Sequence, residues 1–275
     1  MPLGFQVGCS FPIQALIGNV SSDQLRLVRW DGTSWAELHR IFDSSTANAD
    51  WVWLKTVAAI GAMSTDTSYW VYWGNPNPPA PLADPAMVFD TYDDFAGTTL
   101  NAMWLQNPAG SVSVSGGEAV LDHNGSIRLG TAYAGGSAVD FQLRMPMYSG
   151  AWWAGYQVAG TFADLSPWAL WIARNTSSPA EAWPEFTTDT EIIFAGPHTP
   201  MSTNAHLFGV DRLNDRVLYR YDDLVTTNYA IGSTFTAALN VRVTNESLHP
   251  LYVGMVRTRK TIYPYPTVMR GPTNP

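Results

Sequence analysis

Nowhere in the chain do apolar residues repeat at helical spacing for three turns. What recurs is a short run in which apolar and polar residues alternate, closed by Gly, Asn, Asp or Pro. Strand side chains point to opposite faces in turn, so such runs describe half-buried strands. Ser111-Val112-Ser113-Val114-Ser115, the turn Gly116-Gly117 and Glu118-Ala119-Val120-Leu121 read as a hairpin. Leu207 to Leu213, Asn214-Asp215 and Arg216 to Tyr221 read as another. Further strands are expected at Phe11–Val20, Gln24–Trp30, Val139–Met145, Leu239–Val243 and Leu251–Val256, with Asp31-Gly32-Thr33 as a turn. Many short strands without a 20–50-residue repeat predict an all-β sandwich or barrel, not a propeller or solenoid.

Two strands depart from alternation. In Trp51-Val52-Trp53-Leu54-Lys55 the pairs Trp51/Trp53 and Val52/Leu54 occupy opposite faces, and both are apolar. Tyr69-Trp70-Val71-Tyr72-Trp73 is apolar on both faces too. Such strands have no evident solvent side and call for a cover, from the rest of the chain or from another subunit. Trp51, Trp53, Trp70 and Tyr72 are therefore candidates for a subunit or domain interface. The stretch Asn75–Pro85 contains Pro76, Pro78, Pro79, Pro81 and Pro85 and reads as a stiff linker. It divides the chain into a small β-module, 1–85, and a larger domain, 86–275.

Composition limits the partners. Charged residues are 14% of the chain, the net charge is -8, and the lysines are Lys55 and Lys260. Without a basic cluster, a nucleic-acid backbone is not an expected partner. No run is apolar enough to span a bilayer. Met1–Gln6 lacks a basic start and a long apolar stretch, so no signal peptide is expected in this chain. The single cysteine, Cys9, excludes an intrachain disulfide and a multi-cysteine zinc site.

Two groups of motifs carry a family resemblance. Trp51-Val52-Trp53-Leu54 and Tyr69-Trp70-Val71-Tyr72-Trp73-Gly74-Asn75-Pro76 resemble an uncharacterised module of bacterial and archaeal surface proteins. That module is marked by W-V-x-V and Y-x-Y-Y-G-N-P, with Trp73 here in a Tyr position. Phe89-Asp90-Thr91-Tyr92-Asp93-Asp94-Phe95-Ala96-Gly97-Thr98-Thr99-Leu100, then Trp104, resembles the opening of a concanavalin A-like, laminin-G-type jelly roll. Val253 to Lys260, with Pro264 and Pro266, resembles its closing strand and Pro-rich exit. The resemblance implies a small β-module followed by a concanavalin A-like jelly-roll sandwich of the kind found in adhesins and other extracellular proteins. It implies no settled activity.

Candidate chemistry is sparse. Glycoside hydrolases of this class place alternate carboxylates of an E-x-D-x-x-E strand in one groove. The nearest match is Glu185-Phe186-Thr187-Thr188-Asp189-Thr190-Glu191, where Asp189 and Glu191 share a face and Glu185 is out of register. His39, His123, His198, His206 and His249 are scattered, and no phosphate-binding loop occurs. No catalytic residue is therefore expected and the protein is read as not an enzyme. No cofactor is expected either; Asp90, Asp93 and Asp94, with the pair Asp222-Asp223, are weak candidates for structural calcium, and turn formation accounts for them more simply.

Aromatics are the richest feature, with 12 Trp. Trp152-Trp153-Ala154-Gly155-Tyr156 and Trp168-Ala169-Leu170-Trp171 sit in the middle of the larger domain. Adjacent strand residues face opposite ways, so Trp152 and Trp153 cannot both be core if their strand has a wet face. Trp152, Trp153, Tyr156, Trp168 and Trp171 are accordingly candidates for a ligand or interface platform, with a wide core as the competing reading. The sequence alone favours a non-catalytic structural or adhesive subunit of an extracellular assembly, such as a phage virion surface, tail or decoration protein. Its partners would be other subunits, in a homo-oligomer or as neighbours in a virion or filament, and it would sit on a virion or extracellular surface. The alternative is a lectin-like module with a surface glycan as partner; a glycoside hydrolase ranks behind both.

Overall fold

A computed structural model describes residues 6–11, 22–46, 49–58, 60–61, 63–146, 150–163, 167–175, 181–187, 192–194, 196, 198–222, 224–231 and 237–261. Most of the expected strand Phe11–Val20, together with Asp189, Glu191, Asp223 and the Pro-rich exit, lies outside them. Described residues form strands and two three-residue 3-10 turns. None of their helices is long and apolar enough to cross a membrane. The chain separates into two compact units, one within Met1–Asp90 and the other Thr91–Thr261.

The amino-terminal unit holds two three-stranded sheets. In one, Ala49–Lys55 lies between Gln6–Phe11 and Arg40–Thr46. In the other, Arg26–Trp30 lies between Trp35–Glu37 and Tyr69–Tyr72. Alternation decides what is buried: Val52 and Leu54 from the first sheet meet Leu25, Leu27 and Leu38 from around the second, with Tyr69 and Val71 packed beside them. Trp53 takes the opposite face of its strand and is buried against Phe89, ring centroids 5.8 Å apart. The Asp31-Gly32 turn forms as its sequence demands. Gly32 takes φ +104°, and Asp31 Oδ1 accepts from the backbone N–H groups of Thr33 and Ser34 at 2.7 and 2.8 Å. The Ser34 and Thr33 donors hold that carboxyl well below the usual range.

The larger unit is two eight-stranded antiparallel sheets face to face. One runs Leu224–Ala230, Arg216–Tyr221, His206–Arg212, Ser137–Arg144, Leu251–Lys260, Glu118–Asp122, Ser111–Ser115, with Thr91–Asp93 also paired to Leu251–Lys260. The other runs Ile192–Phe194, Glu181–Thr187, Trp168–Asn175, Gly150–Val158, Leu239–Asn245, Ser126–Tyr133, Trp104–Gln106, with Thr199–Pro200 also paired to Glu181–Thr187. Both expected hairpins are present, Gly116 and Gly117 turning at φ +64° and +79°. Between the sheets lies one continuous core, with Val139, Phe141 and Leu143 from the first sheet against Trp152, Tyr156 and Trp171 from the second. Arg212 is buried there as well, its guanidinium 5.0 Å from the Tyr156 ring. Burial pushes Arg212 down to about 10.

The first sheet carries a charged network on the face turned away from this core, and we call it the arginine sheet. Asp140, Asp211, Arg220, Arg257 and Arg259 are all buried. Arg257 Nε donates to Asp140 Oδ2 at 2.8 Å, and Arg220 Nη2 donates to Asp211 Oδ1 at 2.7 Å and to Asp140 Oδ1. Arg259 reaches Asp211 at 3.3 Å. Burial alone would raise both carboxyls, but the guanidinium charges of Arg220, Arg257 and Arg259 outweigh it and hold Asp140 far below the carboxylate range; Asp211 is lowered by Arg220 and Arg259 in the same way.

Candidate functional site

The second sheet turns a different set of residues outward, and we call it the tryptophan sheet. On Gly150–Val158, Trp152, Ala154 and Tyr156 enter the core, so Trp153 and Gly155 face out. On Trp168–Asn175, Ala169, Trp171 and Ala173 face in, leaving Trp168, Leu170 and Ile172 outside. Strand pairing sets Ile172 between Trp153 and Trp183, and Leu170 between Gly155 and Glu185. Trp153, Leu170 and Ile172 thus form a separate apolar cluster with Ala151, Trp168 and Trp183.

The polar groups of this face are tied to its aromatics. Trp168 Nε1 donates to Glu185 Oε1 at 3.1 Å, and Glu185 is 4% exposed. At the other end of the same strand face, His198 stacks on Trp183, centroids 4.8 Å apart and planes at 14°, while its Nδ1 lies 2.6 Å from Glu181 Oε2. Trp153 is 7% exposed, and its indole N–H is buried without an acceptor among the described residues. Across Gly155 the face becomes polar. Arg242 donates to Gln157 Oε1 and, at 3.1 Å, to Ser126 Oγ. The turn Gly160–Ala163 lies over this half, taking Arg128 Nη2 on Gly160 O and Gln157 Nε2 on Ala163 O. The open part of the face is therefore Trp168, Trp183, His198 and Glu181, with Glu185 behind.

Several expectations are corrected here. Trp152, Tyr156 and Trp171 are fully buried between the sheets and cannot be a ligand or interface platform; their strands alternate, and these positions fall on the inner side. Trp153 and Trp168 fall on the outer side. Trp183 and Glu181 joined the site unforeseen, and Glu185 and His198, weighed for catalysis in the sequence and set aside, joined it as well, although Glu181-x-Trp183-x-Glu185 is the alternation that places three side chains on one face. The carboxylates Asp90, Asp93 and Asp94 do not converge on an ion. Asp93 accepts from Phe95 N and Trp104 Nε1, both at 2.8 Å, Asp94 from Ala96 N at 3.1 Å, and Asp90 pairs with Lys55 at 3.3 Å. Asp222 accepts from Leu207 N and pairs with His206. No group of three or more His, Cys, Asp or Glu among the described residues is placed to hold a metal.

The interface candidates of the amino-terminal unit separate too. Trp53 is buried, whereas Trp70 and Tyr72 share an outer face with Trp30 and Trp35. Tyr72 and Trp73 are exposed. The strand Tyr69–Tyr72 thus keeps an open aromatic side within this chain. The side chain of Trp51 lies outside the described set.

Solved structures with this arrangement of sheets identify the shape. The chain superposes on an endo-β-1,3(4)-glucanase of family GH16 with a TM-score of 0.52 at 11% identity, over 63% of this chain and 91% of that one. An endo-β-1,3-glucanase from Pyrococcus furiosus gives 0.51 at 9%, over 64% and 95%. A laminarinase from Rhodothermus marinus gives 0.51 at 9%, over 63% and 97%. The larger unit is a concanavalin A-like jelly roll. No protein-family profile matches the chain, and no curated protein matches its sequence.

The neighbours of the jelly roll correct the functional expectation. They are glycan-cleaving enzymes, so the reading as a non-catalytic subunit of a virion, tail or other assembly is overturned, and with it the reading as not an enzyme. The alternative, carbohydrate recognition, fits the findings better. Within the jelly roll's outer face, Glu181 and Glu185 lie four residues apart on one strand, about 13 Å at the usual strand rise. Hydrolytic pairs stand at roughly 5–9.5 Å. Asp189 and Glu191 lie outside the described residues.

Proposed function

We propose that the jelly roll binds carbohydrate on the outer face of its tryptophan sheet. The observation that carries this reading is the row Trp168–Trp183–His198 on that face, with Glu185 held behind it by the Trp168 indole. A pyranose ring has an apolar C–H face that packs on an aromatic ring and a rim of hydroxyls that needs fixed polar partners. Trp168 and Trp183 supply the first, and Glu181 and His198 the second. The resemblance of Trp51–Pro76 to a surface-protein module supports a working place where glycans are displayed. The test is calorimetric titration of the full chain with laminarihexaose. Trp168→Ala and Trp183→Ala, each checked for retained folding, should weaken binding at least tenfold; unchanged affinity in both overturns the site.

A second reading, cleavage of the bound glycan, is favoured by one observation: Glu185 is a buried carboxyl on the sugar-facing side. Reducing-end release from laminarin that disappears in Glu185→Gln while affinity persists is the result that supports it.

A further inference from the structure

The most exposed aromatic surface of the described chain is on the amino-terminal unit. Strand alternation turns Trp30, Trp35, Trp70 and Tyr72 to one side of the sheet Trp35–Glu37, Arg26–Trp30, Tyr69–Tyr72, while Leu27 and Val71 turn to the core. Trp35 stands among the others. Its ring centroid is 5.1 Å from Trp30, 6.1 Å from Trp70 and 6.2 Å from Tyr72, with planes tilted by 49°, 87° and 86°. Rings set at such angles form a wall with a recess, not a flat stack. Trp30 is 38% and Trp35 49% exposed. Exposure of this size at clustered tryptophans is costly in water and marks a contact surface.

The recess is a cleft of about 580 Å³, within the range of small-ligand sites. Trp30, Trp35 and Trp70 form one side. The run Ser64-Thr65-Asp66-Thr67-Ser68 also lines the cleft, with Ile60 and Gly61, and brings hydroxyls around one carboxylate. Asp66 Oδ1 is occupied by the N–H and hydroxyl of Ser68, at 2.9 and 2.6 Å, which leaves Oδ2 to accept from a ligand. No Lys, Arg or His is among the described residues that line this cleft.

We infer that this face is a carbohydrate-binding site in its own right, built for a neutral oligosaccharide that packs against Trp30, Trp35 and Trp70 in this cleft. A cleft lined by aromatic rings and by hydroxyls matches a molecule with apolar ring faces and hydroxyl edges. Among the described residues, the indole N–H groups of Trp30, Trp35 and Trp70 have no acceptor, so three donors remain for ligand hydroxyls. Asp66, with no cation among the described lining residues, selects against sulfated or uronate sugars. This inference does not rest on the jelly-roll site, because its residues belong to the other unit.

The experiment is an array of neutral, sulfated and uronate glycans probed with the full chain and with Trp35→Ala, Trp35→Phe, Asp66→Asn and Trp168→Ala. Thermal melts of each variant establish that it is folded. Light scattering at high concentration reports self-association through the same face. The expected result is a neutral glycan whose binding falls at least tenfold in Trp35→Ala, falls less in Trp35→Phe and persists in Trp168→Ala. With the jelly-roll site disabled by Trp168→Ala, binding confined to charged glycans, neutral-glycan binding indifferent to the further change Trp35→Ala, or no bound neutral glycan at all overturns the proposal. So does a dimer that Trp35→Ala splits while glycan binding stays unchanged.

Discussion

Trp168 and Glu185 sit on neighbouring strands of the tryptophan sheet, diagonal to each other and two residues apart in register, and the indole N–H of the first donates to the carboxylate of the second at 3.1 Å. The bond fixes the plane of a half-buried ring by means of a buried charge. A ring held this way loses little freedom when a ligand stacks on it. Glu185→Gln keeps an acceptor for the indole and should cost little stability. Glu185→Ala removes it and should cost about 1–2 kcal/mol, the lower part of the range for a lost hydrogen-bond partner because the Trp168 ring is only half-buried. Urea unfolding of the two variants measures the difference, and equal stability contradicts the bond.

A second expectation concerns acid. The folded-state pKa values of Asp140 and Asp211 lie below their unfolded values, the work of Arg220, Arg257 and Arg259 against the penalty of burial. The stability they contribute is therefore fully present above the unfolded carboxyl pKa, near 4, and is lost as pH falls below it. Asp140→Asn should remove much of that acid dependence. It should also cost about 3–5 kcal/mol at pH 7, because guanidinium groups stay buried without their counter-charge. Chemical denaturation between pH 2 and 7 reads both effects, and a variant with wild-type stability at pH 7 contradicts the network.

A third contrast separates tryptophans that look alike in sequence. Trp152 and Trp171 pack edge-on to Phe208 at 5.1 and 5.4 Å inside the core. Replacement of either by Ala should cost about 3–5 kcal/mol. Trp35→Ala, on an open face, should cost far less while removing a binding surface. Melting temperatures of the three variants should fall into these two classes.

That contrast shows what was legible in the sequence and what was not. Period-two runs such as Ser111–Ser115 and Val139–Met145 announce their own strands and faces, because a wet side is written into them as polar residues. The opening and closing motifs around Phe89–Trp104 and Val253–Lys260 pointed to the jelly-roll fold that is found. Trp152-Trp153 carries no such label. Both faces of Gly150–Val158 are apolar, so only the pairing partners, Ala173 and Asn245 for Trp152 and Ile172 and Thr244 for Trp153, decide which ring is inside. The arginine sheet hides its outer face for the opposite reason: Asp140, Arg220 and Arg257 look solvent-facing in alternation, yet they are buried together. Glu181, Trp183 and Glu185 were visible as one strand face, but Pro184 within the run masked it as a strand.

A fourth expectation tests the backbone under the site. Gly155 lies at the centre of the outer face with φ +153°, and a Cβ there would meet Ala169 O of the neighbouring strand at 2.2 Å. A backbone atom cannot yield as a flexible side chain can. Gly155→Ala should destabilise the jelly roll by about 2–4 kcal/mol through strain and strand displacement. Hydrogen exchange of Gly150–Val158 and Trp168–Asn175 should locate the loss on those strands, and protection equal to wild type there contradicts the geometry.

The central claim is that the jelly roll itself recognises carbohydrate. It is tested most directly in Trp35→Ala, where the amino-terminal cleft is disabled, by calorimetric titration with laminarihexaose. Saturable binding that vanishes when Trp168→Ala is added is the predicted result. Absence of binding in Trp35→Ala, or binding that survives the loss of both Trp168 and Trp183, would contradict it.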